Sequence, residues 1–163
     1  MLIAVISDTH DDLAMTAMAV ESAIERGAKA LIHCGDLCSH EVVALCSRLK
    51  PFYFVFGNHD ADVVPSLMQA AREHGARCLE WGGFVELAGV RIGVAHGHMT
   101  SDLRPLLEDE PDYVLTGHTH EPAQFMQGKT QRICPGALYR AKPPTFALLN
   151  LANGETEFIS MND

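Results

Sequence analysis

Short unbroken apolar runs alternate with longer stretches of helical spacing through the first half of the chain. Leu2-Ile3-Ala4-Val5-Ile6 offers no polar residue to solvent and predicts a strand buried on both faces, as in a parallel sheet. The stretch from Asp12 to Arg26, rich in Ala and Met, predicts a helix, with Gly27 where a C-terminal cap belongs. Met15, Met18 and Ala19 recur at helical spacing within it and read as core packing. Ala30 to His33 predicts a second strand, and Glu41 to Leu49 a second helix stopped by Pro51. Phe52 to Phe56 predicts a third strand, and Pro65 to His74 a third helix with Gly75 behind it.

The pattern then shortens. Phe84 to Leu87 and Val90 to Ala95 flank Ala88-Gly89, a hairpin signal. Tyr113 to Leu115 predicts another buried strand. Ala123 to Met126, Gln131 to Cys134, Phe146 to Leu151 and Thr156 to Ile159 follow, the last two joined by Asn153-Gly154, a hairpin turn. Parallel strand–helix–strand units first and antiparallel strands later predict an α/β sandwich with mixed sheets. With 163 residues, no repeat and no linker, residues 1–163 read as one domain.

Composition narrows the partners. The net charge of −9 argues against a duplex-DNA binder, which needs a basic face to displace counterions. It does not argue against a small phosphorylated substrate, because bound metal reverses the local field. Cys34, Cys38, Cys46, Cys78 and Cys134 form no C-x-x-C clip and read as reduced thiols. The run from Leu2 to Ile6 is too short for a signal sequence, and no stretch predicts a membrane span. The expectation is therefore a cytoplasmic protein without membrane attachment, compatible with a homo-oligomer.

The candidate chemistry lies where the strands end. The first strand runs into Asp8-Thr9-His10, the second into Gly35-Asp36, and the third into Gly57-Asn58-His59-Asp60. The hairpin strand runs into His96-Gly97-His98, and the next into Gly117-His118-Thr119-His120. Sites in open α/β sheets form beyond the carboxyl ends of the strands, so folding would bring these clusters to one edge. Each glycine is expected to permit a sharp turn and a close backbone approach. Imidazole with carboxylate suits Mn, Fe, Zn, Ni or Co better than Mg or Ca. Asp36, placed centrally, is the natural bridge between two ions. Asp8, His10 and His120 would complete one ligand set, and Asn58, His96 and His118 the other.

The five segments, D-x-H, G-D, G-N-H-D, H-G and G-H-x-H, resemble in type and order the signature of the calcineurin-like metallophosphoesterase superfamily. They run from Asp8 to His120. The small size resembles its compact bacterial and archaeal phosphodiesterases, a group that includes the eukaryotic sorting subunit Vps29. The resemblance implies a four-layer αββα sandwich, two mixed sheets flanked by helices. It implies two divalent ions, Mn foremost with Zn, Ni, Fe or Co as alternatives. Asp8, His10, Asp36 and His120 would hold one ion, and Asp36, Asn58, His96 and His118 the other. The implied activity is a phosphoesterase, a phosphodiesterase first, using in-line attack by a hydroxide that bridges the ions. His59 and Asp36 are the candidate catalytic residues, with His59 protonating the leaving group. Asn58, His59 and His98 are candidate substrate contacts. Compact relatives often carry Cys where His59 stands. Their Asn-Pro-Gly-Ser turn is Cys134-Pro135-Gly136-Ala137 here, and the Asp-Arg-Gly that follows Gly-Asp in protein phosphatases is missing after Asp36, where Leu37-Cys38-Ser39-His40 stands.

Other polar residues carry weaker readings. Asp60 is expected to hold the backbone of its loop or to orient a ligand histidine. His33 reads as a satisfied core residue, His74 as a partner of a helix dipole and His40 as capping or solvated. Asp109, Glu110 and Asp112 read as a solvated turn around Pro111. Arg104, Arg140 and Lys142 read as surface residues, with substrate phosphate as the alternative. The competing functions are a non-catalytic Vps29-like scaffold, whose freedom to lose ligands is unused here, and a nuclease, which the missing basic stripe disfavours.

Overall fold

The computed structural model describes residues 1–162. Its elements run β1 (Leu2–Ile6), α1 (Leu13–Glu25), β2 (Leu31–His33), α2 (His40–Cys46), β3 (Phe52–Phe54), a 3-10 turn (Asn58–Val63), α3 (Val64–His74) and β4 (Arg77–Cys78). They continue β5 (Gly82–Leu87), β6 (Val90–Ala95), α4 (Thr100–Glu108), β7 (Tyr113–Leu115), β8 (Pro122–Gln127), β9 (Thr130–Pro135), β10 (Thr145–Asn150) and β11 (Thr156–Ser160). Two mixed sheets result. One has the order β11-β10-β1-β2-β3-β4, the other β5-β6-β7-β9-β8. The strands β1 to β4 pair in parallel, as do β6, β7 and β9.

The unbroken apolar run of β1 now has its cause. Ile3 and Val5 face the second sheet, packing with Ile32, Val94, Leu115 and Ile133. Ala4 and Ile6 face the other way, into a cluster with Val20, Val43, Phe54 and Leu67 under α1, α2 and α3. On the far side of the second sheet, Leu106 of α4 packs on Ala95 and Val114, with Leu103 and Leu107 beside it. This is the expected four-layer arrangement of two mixed sheets between helices, with one outer layer much thinner than the other. That layer stops short of β8, where Phe125 and Met126 stand exposed.

Local chemistry explains the boundaries. The Asp12 side chain caps α1 by accepting the Met15 N–H at 3.0 Å, and α3 ends at Gly75 in the left-handed conformation with φ 68°. The Ala88-Gly89 turn has φ 51° and 77°, the primed geometry that suits a two-residue hairpin. The β10–β11 hairpin also forms, but over a wider loop: the Asn150 N–H donates to Glu155 O, and Asn153 Oδ1 accepts the Glu155 N–H. Three expectations need correction. Met18 lies on the solvent side of α1, more than half exposed, while Ala19 is buried. The second helix ends at Cys46, three residues before Leu49. Asp109 and Asp112 are exposed but engaged: Asp109 pairs with Arg91, and Asp112 Oδ2 accepts the Arg91 N–H.

Candidate metal centre

Because β1, β2 and β3 run in parallel, and β6 and β7 likewise, their carboxyl ends meet at one edge of the sandwich. Backbone bonds stitch that edge together: the Asp8 N–H donates to Gly35 O, the His10 N–H to Asp36 O, and the Gly117 N–H to His96 O. The clusters separated in sequence therefore share one site.

Two buried carboxylates form its floor. Asp8 Oδ2 accepts the Ser7 hydroxyl at 2.6 Å and the His118 N–H at 3.0 Å. Its Oδ1 is left facing His120 Nε2 at 3.1 Å, His10 Nε2 at 3.8 Å and His96 Nε2 at 3.9 Å. Asp36 repeats the pattern. Its Oδ1 accepts the His59 N–H at 2.9 Å, and its Oδ2 faces both His10 Nε2 and His96 Nε2 at 3.3 Å. Each carboxylate thus has one oxygen tied by the protein and one turned inward. Asp36 Oδ2 thus stands between the two imidazoles.

The imidazoles are set for the same purpose. His96 Nδ1 lies 2.8 Å from Cys34 O. A carbonyl only accepts, so Nδ1 carries the proton, and in the neutral ring Nε2 presents a lone pair to the site. His96 Nε2 and His10 Nε2 are buried without a hydrogen-bond partner. Lone pairs of nitrogen and carboxylate oxygen converging out of water repel unless a proton or a cation lies between them. Three groups of donor atoms fall within mutual coordination reach: Asp8, His10 and His120; Asp8, Asp36 and His96; and His10, Asp36 and His59. The donor set fits divalent cations of the transition series.

Without a cation the site is polarised. Burial pushes Asp36 up, but His96 and the His59 N–H outweigh it and hold the carboxyl well below its usual range. For Asp8 the order is the same: burial raises it, and His10, His96, Ser7 and the His118 N–H bring it down. Burial lowers His96, yet Asp36 and Asp8 carry it above its ordinary value. His98 is lowered by burial and by its neighbour His96.

A satisfied frame lies behind the floor. Asp60, fully buried, accepts the N–H groups of Asp36 and Gly57 at 2.8 Å on Oδ2, with Leu37 at 3.3 Å, and of Cys38 at 2.8 Å on Oδ1. It holds backbone, the first of its two expected roles. His33 Nδ1 accepts the Gly35 N–H at 3.1 Å, so its Nε2 donates to Thr9 Oγ1 at 3.0 Å. Burial pushes its pKa down to about 3 and keeps it neutral.

The remaining sequence candidates occupy the rim. His118 stacks edge-on against His96 with ring centroids 5.2 Å apart, and Asn58 and His59 are exposed. His59 lies 4.9 Å from His10, ring to ring, within donor reach of Asp36 as well. His98 sits between Trp81 and His96, its Nδ1 buried and unpartnered. His40 is solvated beside Glu41 at the start of α2.

Sequence reasoning misplaced the backbone freedom and missed two residues. Gly35 and Gly97 do turn with positive φ, but Gly57 and Gly117 do not. A Cβ on Gly57 would strike Asp36 Oδ1, and one on Gly117 would strike Ser7 Oγ, so both serve close approach alone. The left-handed positions belong to Asp8, His10, Asp36, His118 and His120 themselves. Asp and His are among the side chains that tolerate that region, and such strain gathers at functional sites. Ser7, which ties Asp8, belongs to none of the five motifs. Tyr139, whose N–H donates to Asp8 O at 3.0 Å and whose ring lies 5.1 Å from that of His10, followed the recognised Cys134-Pro135-Gly136-Ala137 turn by two residues.

The calcineurin-like phosphoesterase superfamily domain matches residues 1–154. A probable metallophosphoesterase of Methanothermobacter thermautotrophicus is 35% identical over 130 residues, 75% of this chain and 68% of that protein. A phosphodiesterase of Methanocaldococcus jannaschii is 28% identical over 159 residues, 95% of this chain and 96% of its own. The solved structure of a novel archaeal phosphodiesterase superposes with a TM-score of 0.88 at 27% identity, covering 99% of this chain and 100% of that one.

Proposed function

Since the chain belongs to the calcineurin-like phosphoesterase superfamily, we propose that it is a two-metal phosphodiesterase acting on a small phosphorylated substrate. The observation that carries this reading is the pair of inward carboxylate oxygens, Asp8 Oδ1 and Asp36 Oδ2, faced by imidazole nitrogens that lack any other partner. Asp8, His10, Asp36 and His120 would hold one ion. Asp36, Asn58, His96 and His118 would hold the other. Manganese is the proposed occupant, with Zn, Ni, Fe or Co as alternatives that oxygen and imidazole donors also suit. When bound, the ions supply Lewis acidity and bring the pKa of water toward neutrality.

The chain's own residues do the rest. Asp36 keeps both ligand sets at a fixed separation, because Asp60 cages the N–H groups of residues 36 to 38. Asp8 is fixed in the same way by Ser7 and the His118 N–H. His59 stands at the rim with its ring exposed and its N–H committed to Asp36. From there it protonates the departing alkoxide, the oxygen whose negative charge grows as the ester bond breaks. Asn58 and His98 flank the substrate. Among the described residues, no helix is long and apolar enough to cross a membrane. The five free cysteines support a reducing compartment, the cytoplasm.

Hydrolysis of bis(4-nitrophenyl) phosphate tests this reading. The metal-stripped protein should be inactive and should recover on addition of Mn. A Mn-loaded protein of full metal content that leaves the diester intact would favour a scaffold.

A further inference from the structure

The loops that build the site edge comprise residues 7–12, 34–39, 57–63, 96–99, 116–121 and 136–144. They carry Asp8, Asp11, Asp12, Asp36, Asp60, Asp62 and Glu121, but only two permanent cations, Arg140 and Lys142. Both lie on one strap between β9 and β10. The strap is tied to the end of β1 by the Leu138 N–H on Ser7 O at 3.3 Å and the Tyr139 N–H on Asp8 O at 3.0 Å. Tyr139 then packs against His10, and the Arg140 guanidinium lies over the Tyr139 ring, 4.9 Å from its centroid. Arg140 is exposed and, among the described residues, makes no ion pair, unlike Arg26, Arg48 and Arg91. The Tyr139 ring thus has the metal-site donor His10 and the unpaired Arg140 guanidinium as neighbours.

We propose that Arg140 determines specificity by binding a second, non-scissile phosphate of the substrate, so that the preferred substrates are phosphodiesters bearing an additional phosphate. This rests on the phosphodiesterase reading and deepens it. The scissile phosphate belongs over the inward donors of Asp8, Asp36 and the histidines. A further anionic group of the same substrate meets carboxylates on the other loops and finds a fixed cation only on this strap. A guanidinium held against an aromatic face presents its N–H fork to phosphate with little ordering left to do.

Two chromogenic esters make the test: thymidine 5′-(4-nitrophenyl phosphate) and the same compound carrying a 3′-phosphate. The wild-type protein with Mn should prefer the 3′-phosphorylated ester. Arg140→Ala should cut that preference about tenfold or more through KM, and Arg140→Lys should keep part of it. Lys142→Ala should cut it less than Arg140→Ala does. A parallel titration of the Mn-loaded protein with thymidine 3′,5′-bisphosphate should show the affinity falling about tenfold in Arg140→Ala, with a smaller fall for thymidine 5′-monophosphate. Equal losses on both esters, no loss on either, or an equal effect of Lys142→Ala would overturn the clamp. If the wild-type protein cleaved neither ester, the phosphodiesterase reading would fail, and the titration would still decide whether Arg140 holds the second phosphate.

Discussion

The floor of the site and its rim are built from the same residue types and behave as opposites. On the floor and in the frame behind it, Asp8, Asp36, Asp60, His33 and His96 are buried. Every polar atom there is committed to the protein except those turned inward. On the rim, Asn58, His59 and His118 are exposed, and His120 reaches down from it to Asp8. The contrast is sharpest between two aspartates of neighbouring loops. Asp60 spends both oxygens on backbone N–H groups, whereas Asp36 spends one and leaves the other for the site. Hydrogen bonding thus separates a carboxylate spent on the frame from one with an oxygen left to serve as the proposed ligand. The floor should govern metal affinity and stability; on the rim, Asn58, His118 and His120 would complete the ligand sets, and His59 should govern turnover.

The largest expected effect is on the floor. Asp36→Asn keeps the shape and the bond from the His59 N–H but removes the charge between the two imidazoles. Metal-dependent hydrolysis should be abolished, with loss of bound metal in elemental analysis. Next comes the rim. His59→Ala should retain full metal content while turnover of an alkyl phosphodiester, whose leaving alkoxide needs a proton, falls about 10²–10⁴-fold, the range of a positioned acid. His59 lies close enough to Asp36 and His10 to be a ligand, so metal loss in this variant would move it from rim to floor. Smaller again is the frame. Asp60→Ala leaves four N–H groups without their acceptor and should weaken metal binding about 10–100-fold, with a stability loss of about 3 kcal/mol in urea unfolding.

The smallest effect reads the floor through pH. His33 is held neutral, its pKa lowered from 6.5 to about 3. The unfolded chain takes up a proton that the folded chain refuses, so this contribution to stability is full above pH 6.5 and is lost as pH falls toward 3. In metal-free protein the loss amounts to about 1.4 kcal/mol per pH unit. The depressed carboxyls of Asp8 and Asp36 add a slope of the same sign at lower pH. His33→Gln should remove the His33 part of the slope and leave the rest. An unchanged slope between pH 6 and 4 would mean that His33 is not a buried neutral group.

Much of this was legible in the sequence because the signals are local. An apolar run ending in a polar cluster marks a buried strand that carries its polar residues to the sheet edge, and five such runs in order marked the candidate site. What escaped depended on tertiary contacts. Helix α4 was hidden by Pro105 within it and by its charged neighbours, although Leu103, Leu106 and Leu107 keep helical spacing. Strand β4 is two residues long and has no pattern to read. Met18 fits a helical repeat as well as Met15 does, and only the packing of α1 on the sheet turns it outward. Tyr139 is an ordinary residue until the strap is laid across the end of β1.

Two ions sharing Asp36 are the arrangement on which the proposed chemistry depends. Anomalous diffraction at the manganese edge from crystals grown with Mn measures it directly. Two peaks should flank Asp36 Oδ2, one within reach of Asp8, His10 and His120 and the other within reach of Asn58, His96 and His118. A single peak, or a pair that Asp36 does not touch, would contradict it.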